Sequence, residues 1–428
     1  MTNITIAAAR LSQIRERSLR INIGWTLLGN LVYAGAQWAL LVSLAKLGTT
    51  EDVGRFAFAL AVSGPVFMFT NLQLRGIQAT DARGEHRLPI YLGVRLASVA
   101  VSLVFIVTLS PLWASAASAR LVILGVAMAK ATEAMSDVLF GLFQQQERME
   151  LIAQSMMLKA GMSFVAFTGT LTIAHDLRIA VFALALSWLA VLVLFDVRNA
   201  RRLVVMTPSL GISRLHPEFT IDQMQRLIRV ALPLGVVMLF VSLNTNIPRY
   251  LIEHHFGTRQ LGLFAAVTYV VIAGSTIVTA LGQACAPRLS RYFAARDYGR
   301  FVALLAQLAG IVVAGASLAL LVSVTAGRLV LTALYRPEYA AESHVLAWTV
   351  VAGGLGYVGS VLGYGLTAAR AFDVQAPLFT VVSGVTAVAS FVFVPRFGLM
   401  GGAWAMIAGA LVQVLLSLWL LRRVLGDR

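Results

Sequence analysis

The chain has 428 residues, of which 59% are hydrophobic and only 12% charged, and its mean hydropathy is +0.82. A soluble domain would carry about 25% charged residues, so a large soluble domain is excluded and the composition is that of a polytopic membrane protein. A formal charge of +15 would suit nucleic acid in a soluble chain; in one this apolar it reads as basic residues retained on the cytoplasmic side of a bilayer, and no nucleic-acid partner is expected.

Residues 1–20 hold Arg10, Arg15, Arg17 and Arg20 without an apolar core or a small-residue cleavage site. They read as a basic cytoplasmic leader rather than a removable signal, and a surface helix and a disordered leader both remain open. A spanning helix needs about twenty mostly apolar residues. Such windows lie at 21–45, 53–74, 89–112, 120–143, 151–174 and 178–197, and then at 227–250, 261–284, 301–324, 343–368, 374–394 and 399–421. The predicted fold is all-α integral membrane, with about 12 transmembrane helices.

An even number of spans puts both termini on one side. With that side cytoplasmic, twenty-two basic residues fall on inner segments and seven on outer loops, the asymmetry expected of a correct topology. The longest loop, with Pro208, Gly211 and Pro217, lies inside. It divides the chain into a first six-helix bundle (21–200), a connector (201–226), a second six-helix bundle (227–422) and a cytoplasmic tail (423–428). A short internal echo supports a duplication: Gly48, Gly54, Phe56 and Ala57 recur as Gly257, Gly262, Phe264 and Ala265, at the same place in each half. With an even helix number per half, the two bundles would be related by a pseudo-two-fold along the membrane normal.

Charges within a spanning helix cost roughly 2.5–3.5 kcal/mol each on insertion scales, so they face a cavity or a partner. Here they are Arg55, Arg95, Lys130, Glu133, Asp137 and Lys159 in the first half, and Arg249 alone in the second. In the fourth predicted helix Lys130, Glu133 and Asp137 fall within about 60° of arc, and Gly141, Gln144 and Arg148 continue the stripe inward. That makes a polar track about 27 Å long at about 1.5 Å per residue. Val126 and Ile123 turn the same face apolar in the outward direction, so the track reads as one wall of an inward-opening cavity.

Arg95 heads a face with Ser98 and Ser102, and Lys159 lies between Ser155 and Ser163. The four cations Arg55, Arg95, Lys130 and Lys159 outnumber Glu133 and Asp137 by two. A cavity with surplus positive charge suits an anionic substrate such as a phosphate or diphosphate. The competing reading is structural. Lys130 with Glu133 or Asp137 is equally an internal salt bridge, and Arg55 a cap on the outer mouth. Pro233, Pro248, Pro287 and Pro377 are either kinks or helix ends. His254 and His255 point apart on a helix and define no metal site, and Cys285, the only cysteine, reads as packing. No P-loop, nucleophile elbow or zinc-protease helix occurs, so neither catalytic residue nor cofactor is expected.

Several of these residues carry a family resemblance. They are Leu47 and Gly48 with Gly54, Arg55, Phe56 and Ala57; Asn71 to Arg75 followed by Asp81; and Phe397, Gly398, Gly401, Gly402 and Ala403 near the last helix. The most specific run is Lys130, Glu133, Ser136, Asp137, Gly141 and Gln144, continuing as Glu147, Arg148 and Met149. The chain resembles bacterial polysaccharide-unit flippases of the multidrug/oligosaccharidyl-lipid/polysaccharide exporter superfamily.

The resemblance implies two bundles around a central cavity that alternates its access. It implies a cargo of undecaprenyl-diphosphate-linked oligosaccharide, carried from the cytoplasmic to the periplasmic leaflet of the inner membrane for O-antigen, capsule or exopolysaccharide assembly. Partners would be that lipid-linked oligosaccharide, membrane lipids and other polysaccharide assembly proteins. Arg95, Lys130 and Lys159, with Arg55, would hold the diphosphate or acidic sugars. Glu133 and Asp137 would balance charge or couple to protons or cations, and Gln144, Glu147 and Arg148 would serve the inner mouth. A multidrug/cation antiporter of the same superfamily is the alternative, against which the positive cavity argues. A membrane glycan polymerase or ligase would need a larger external loop than residues 325–342.

Overall fold

The computed structural model describes residues 19–81, 85–114, 116–207, 215–371 and 373–426. Arg10, Arg15 and Arg17 of the expected leader, Arg83, Arg214 and Arg428 lie outside them, as do Pro208 and Gly211 of the connector and the Arg20 side chain. Every regular element described is a helix. In chain order these are α1 (Leu19–Leu47), α2 (Thr50–Thr70), the short α3 (Leu74–Thr80), α4 (Leu88–Trp113), α5 (Ala117–Gln145), α6 (Met149–Ala174) and α7 (Leu177–Val191). A π-helical turn (Leu192–Val197) leads into α8 (Arg198–Met206). After the connector come α9 (Ile221–Ala294), α10 (Tyr298–Leu334), a 3-10 turn (Pro337–Glu342), α11 (Ser343–Ala368) and α12 (Gln375–Gly426).

Local chemistry sets the ends. Thr49 and Asp52 form a reciprocal cap on α2: the Thr49 hydroxyl accepts from Asp52 N at 3.1 Å, and the Asp52 carboxylate accepts from Thr49 N at 3.1 Å. Asp176 caps α7 by accepting from Arg178 N at 2.8 Å. Pro89 sits in the first turn of α4 and Pro377 in that of α12, where a missing N–H costs nothing. Pro233, Pro248 and Pro287 lie inside α9. The sharp break in α9 is instead at Gly257 (φ 78°), and that in α12 at Gly398 (φ 58°), conformations open to a residue without a Cβ. Each of these long elements is therefore two helices.

Nine helices among the described residues are long and apolar enough to cross a membrane. The predicted twelve is reached only by counting α9 and α12 as two each and adding α5, whose charges keep it outside that criterion. Val101, Val104 and Leu112 of α4 and Leu318, Leu321 and Leu329 of α10 are exposed, a surface suited to lipid rather than water.

Among the described residues three apolar cores hold the helices. One lies at the predicted outer end and is common to both halves: Leu40, Leu44, Val53, Phe56, Val126 and Leu184 pack in the same cluster as Ile252, Leu261, Phe264 and Leu346. At the predicted cytoplasmic end the cores are separate. The first gathers Leu74, Ile90, Tyr91, Val138, Phe143 and Leu203, with Leu227 and Ala231 from the start of α9. The other is built from Leu289, Phe301, Leu305, Val361, Leu366 and Leu421. One core is thus shared by both halves at one end, while two separate cores lie at the other, the first of them also holding the start of α9.

The shared end has a specific contact. A Cβ on Gly54 would collide with the Thr258 carbonyl, and one on Gly262 with the Thr50 carbonyl. These are matched positions of the sequence echo, so the backbones of α2 and of the second part of α9 touch through paired glycines. Apolar side chains gain nothing by leaving lipid for one another, and close backbone approach through small residues is what holds such helices together. Arg336 Nη2 adds a hydrogen bond to the Lys46 carbonyl at 2.6 Å across the same end.

Candidate functional site

Arg55 apart, the misplaced charges of the first half gather in one layer around α5. Asp137 accepts from Arg95 Nη2 at 3.2 Å and lies 3.7 Å from Arg75 Nη1. Arg95, on α4, is 0% exposed; its Nη1 donates to the Asn71 side-chain oxygen and its Nε has no partner. Asn71 is available because α2 ends at Thr70 and Asn71 closes its last turn. Arg75, on α3, donates from Nε to Gln144 Oε1 at 3.0 Å, so that α3 is fastened along α5 by two side chains.

At the adjacent position of α5, Ser136, the partner changes. Lys159 of α6 lies 3.3 Å from Asp196 Oδ2, with side chains 3% and 0% exposed, and Ser136 Oγ donates to the same oxygen at 2.7 Å. Asp196 stands on the π-helical turn. One extra residue in a turn rotates the side chains beyond it, and such turns recur at functional sites. The Phe140 ring lies between the two cationic systems, with Lys159 Nζ 5.0 Å and Arg75 Cζ 5.6 Å from its centroid. Lys130 Nζ is 2.7 Å from Glu133 Oε2, and Tyr33 OH of α1 donates to Glu133 Oε1 at 2.8 Å.

The layer is graded in exposure. Arg95, Lys159 and Asp196 are buried, whereas the side chains of Arg75 and Asp137 are 32% and 29% exposed and those of Lys130 and Glu133 are 30% and 35% exposed. Buried ions must be paired to offset their desolvation, and here each carboxylate of the layer has a cation. With Arg75 and Asp196 included, four cations stand against three carboxylates, an excess of one rather than the two expected from sequence.

Other expected site residues lie elsewhere. Arg55 pairs with Asp52 at 3.4 Å and is 44% exposed; it lines a pocket of about 230 Å³ at the predicted outer end with Trp113 and Glu253, away from the layer. The predicted stripe is also shorter than expected. α5 ends at Gln145, Glu147 takes a positive φ of 54° in the turn, and Arg148 pairs with Glu150 beyond it. The turn removes Arg148 from the helix face, so the track runs from Lys130 to Gln144, about 21 Å at about 1.5 Å per residue. His254 and His255 are exposed, and no metal-holding group of acids, histidines and cysteines occurs among the described residues.

Sequence reasoning missed Asp196, Arg75, Asn71 and Tyr33 as members. Arg75 falls in a predicted loop and Asp196 at the end of the sixth window, where a charge is unremarkable. Asn71 and Arg75 do stand in one of the motifs that carry the family resemblance, the one signal that could have recruited them.

The helical fold is shared with solved membrane transporters. Over 94% of this chain and 87% of the other, the fold matches a structure of the lipid II flippase MurJ in an inward closed conformation, with a TM-score of 0.70 at 12% identity. It matches an inward-facing multidrug resistance MATE family transporter of the MOP superfamily with a TM-score of 0.61 at 15% identity, over 98% of each chain. Residues 19–293 match the family model described as polysaccharide biosynthesis protein. The chain belongs to that family and is a multi-pass membrane protein. It is 23% identical over 405 residues to the capsular polysaccharide biosynthesis protein CapF of Staphylococcus aureus, covering 94% of this chain and 99% of that protein.

Proposed function

We propose that the chain flips a lipid-linked oligosaccharide, joined to its polyprenyl carrier by a diphosphate, from the cytoplasmic to the periplasmic leaflet of the bacterial inner membrane. Both termini would be cytoplasmic and access to the central space would alternate between the two sides. The observation that carries this reading is the charged layer of the first half. Its excess is positive and its three carboxylates are each matched to a cation, so it offers an anion a partner and an organic cation none. The family and the Staphylococcus aureus relative support polysaccharide assembly as the setting.

In this reading Arg75 and Lys130, the two cations with partly exposed side chains, meet the diphosphate first. Arg95 and Lys159 stand behind them and hold Asp137 and Asp196. Glu133 and Asp137 balance charge or couple to protons or cations, and Gln144 and Glu147 line the way to the cytoplasm. Arg55 would meet acidic sugars near the outer mouth.

Deletion of the gene and mass spectrometry of the lipid fraction test the reading. Accumulated complete oligosaccharide units on the polyprenyl carrier, with loss of surface glycan, are expected. An unchanged lipid-linked pool would overturn it.

A further inference from the structure

At the predicted cytoplasmic end of the second half, two helices finish in the same way. The second part of α9 closes on Ala294, Ala295 and Arg296, and α11 closes on Ala368, Ala369 and Arg370. In both, the arginine stands just past the helix with a positive φ of 57°. The Asp297 N–H donates back to the Tyr292 carbonyl at 2.9 Å, and that of Ala371 to the Leu366 carbonyl at 3.0 Å. These bonds define a turn whose left-handed position is usually glycine. An arginine there bears a steric cost that glycine avoids.

The two arginines meet at one pocket. Arg296 and Arg370 line a cavity of about 390 Å³ with Ser290, Phe293 and Tyr298. No carboxylate is among its lining residues, and none of the described carboxylates lies within ion-pair distance of either arginine. Asp297, next in sequence, is engaged by Arg300: it accepts from Arg300 N at 3.1 Å and lies 3.5 Å from Arg300 Nε. The bias of basic residues toward cytoplasmic ends accounts for arginines in this region. It does not account for two of them at the left-handed positions of separate turns, brought to a single cavity.

The pocket also stands at the head of a surface suited to acyl chains. From Tyr298 on the pocket wall, α10 continues along the same side through Val302, Ala306 and Val313, all exposed. We propose that Arg296 and Arg370 form a phosphate-binding site that takes the headgroup of an anionic membrane lipid, bridging the α9–α10 and α11–α12 turns. Guanidinium forks match phosphate oxygens, and the hydroxyls of Ser290 and Tyr298 are further donors. Basic pockets between spanning helices hold lipid headgroups in this manner. The lipid's chains would lie along the Val302 side of α10. The site is separate from the charged layer of the first half and independent of what the protein carries.

The test uses the full-length protein in detergent, titrated with phosphatidylglycerol or with phosphatidylcholine of the same acyl chains, and native mass spectrometry to count retained lipid. The wild type is expected to retain phosphatidylglycerol about tenfold more strongly, the effect of one charge-assisted contact. R296G/R370G removes both side chains while supplying the residue their turns favour. It should melt no lower than the wild type in phosphatidylcholine and lose the preference. R288Q/R291Q, which neutralises two exposed arginines of α9 outside the pocket, should keep it. An unchanged preference in R296G/R370G overturns the site, and so does an equal loss in R288Q/R291Q, which would reduce it to general surface charge. Where the glycine variant does not fold, R296N/R370N decides on the same readout, asparagine being the other residue common at this position. Glycerol phosphate separates the two sources of the phosphate: bound lipid that resists it supports the headgroup, and full displacement overturns the lipid assignment in favour of a soluble phosphate ester.

Discussion

Asp196 accepts from Ser136 and faces Lys159 on the same oxygen, while its Oδ1 has no partner. Removing it leaves a buried ammonium uncompensated, a change that costs about 3–5 kcal/mol. D196A should therefore lower the thermal unfolding midpoint sharply, and D196N combined with K159Q should recover most of the loss. Thermal melts of the single and double variants form the cycle, and a double variant that simply adds the two single losses would show that the pair is not coupled. The half-exposed cations predict the opposite balance. Lys130 with Glu133 is worth no more than about 1 kcal/mol to stability, so K130A and R75A should melt almost as the wild type does yet abolish surface-glycan export. Normal export by both would remove these residues from the substrate path. Helical periodicity alone places Lys130, Glu133 and Asp137 on one face. It cannot reveal that Asp137 belongs to Arg95 and Arg75, since those arginines arrive from other helices and the spacing inside α5 offers Lys130 as a nearer partner. Arg249 is visible as a misplaced charge, but that none of the described carboxylates lies within ion-pair distance of it is a fact of three dimensions.

Among the elements, the windows read from hydropathy fall on the observed helices because length and apolarity are what a bilayer demands. Their ends are less legible. The Thr49–Asp52 cap and the Asp176 cap are ordinary sequence signals, but the two sharpest breaks, at Gly257 and Gly398, depend on backbone angles. The π-helical turn leaves no mark in periodicity, and it is what brings Asp196 to Lys159. The cap of α7 also predicts a pH response. The Arg178 side chain, through its hydrogen bonds, holds the Asp176 carboxyl below its ordinary 3.8. A depressed carboxylate stabilises the fold fully above its ordinary value, and that contribution is lost as pH falls through the depressed one. Amide exchange at the start of α7 should accelerate over that acid range in the wild type, and D176N should show no such dependence; a D176N profile with the wild-type shape would discount the cap.

At the scale of the molecule, the common core and the paired glycines lie at the predicted outer end, and two separate cores lie at the other. Arg259 lies 3.9 Å from both Glu51 and Glu338 at the predicted outer end. In a variant with Cys285 replaced by Ala, cysteines placed at 51 and 259 and joined by a short bis-methanethiosulfonate, which releases sulfinate as each disulfide forms, should hold the predicted outer end together. Export is then expected to stop and to resume when a cleavable linker is reduced. Export that continues through the crosslink would mean this end does not open in the working cycle.

The common core also sets a thermal character for the protein. If access alternates as proposed, Val53, Phe56, Leu261 and Phe264 of the shared core would come apart at each turnover, facing a hydrated passage rather than lipid. Apolar surface passing into water raises the heat capacity, whereas the same surface passing into acyl chains does not. The barrier to opening therefore bends with temperature in proportion to how much of this seam is wetted, as the barriers of folding reactions do. In that proposed cycle the same two helices whose glycines let their backbones touch would make the water content of the open passage a determinant of turnover in the cold.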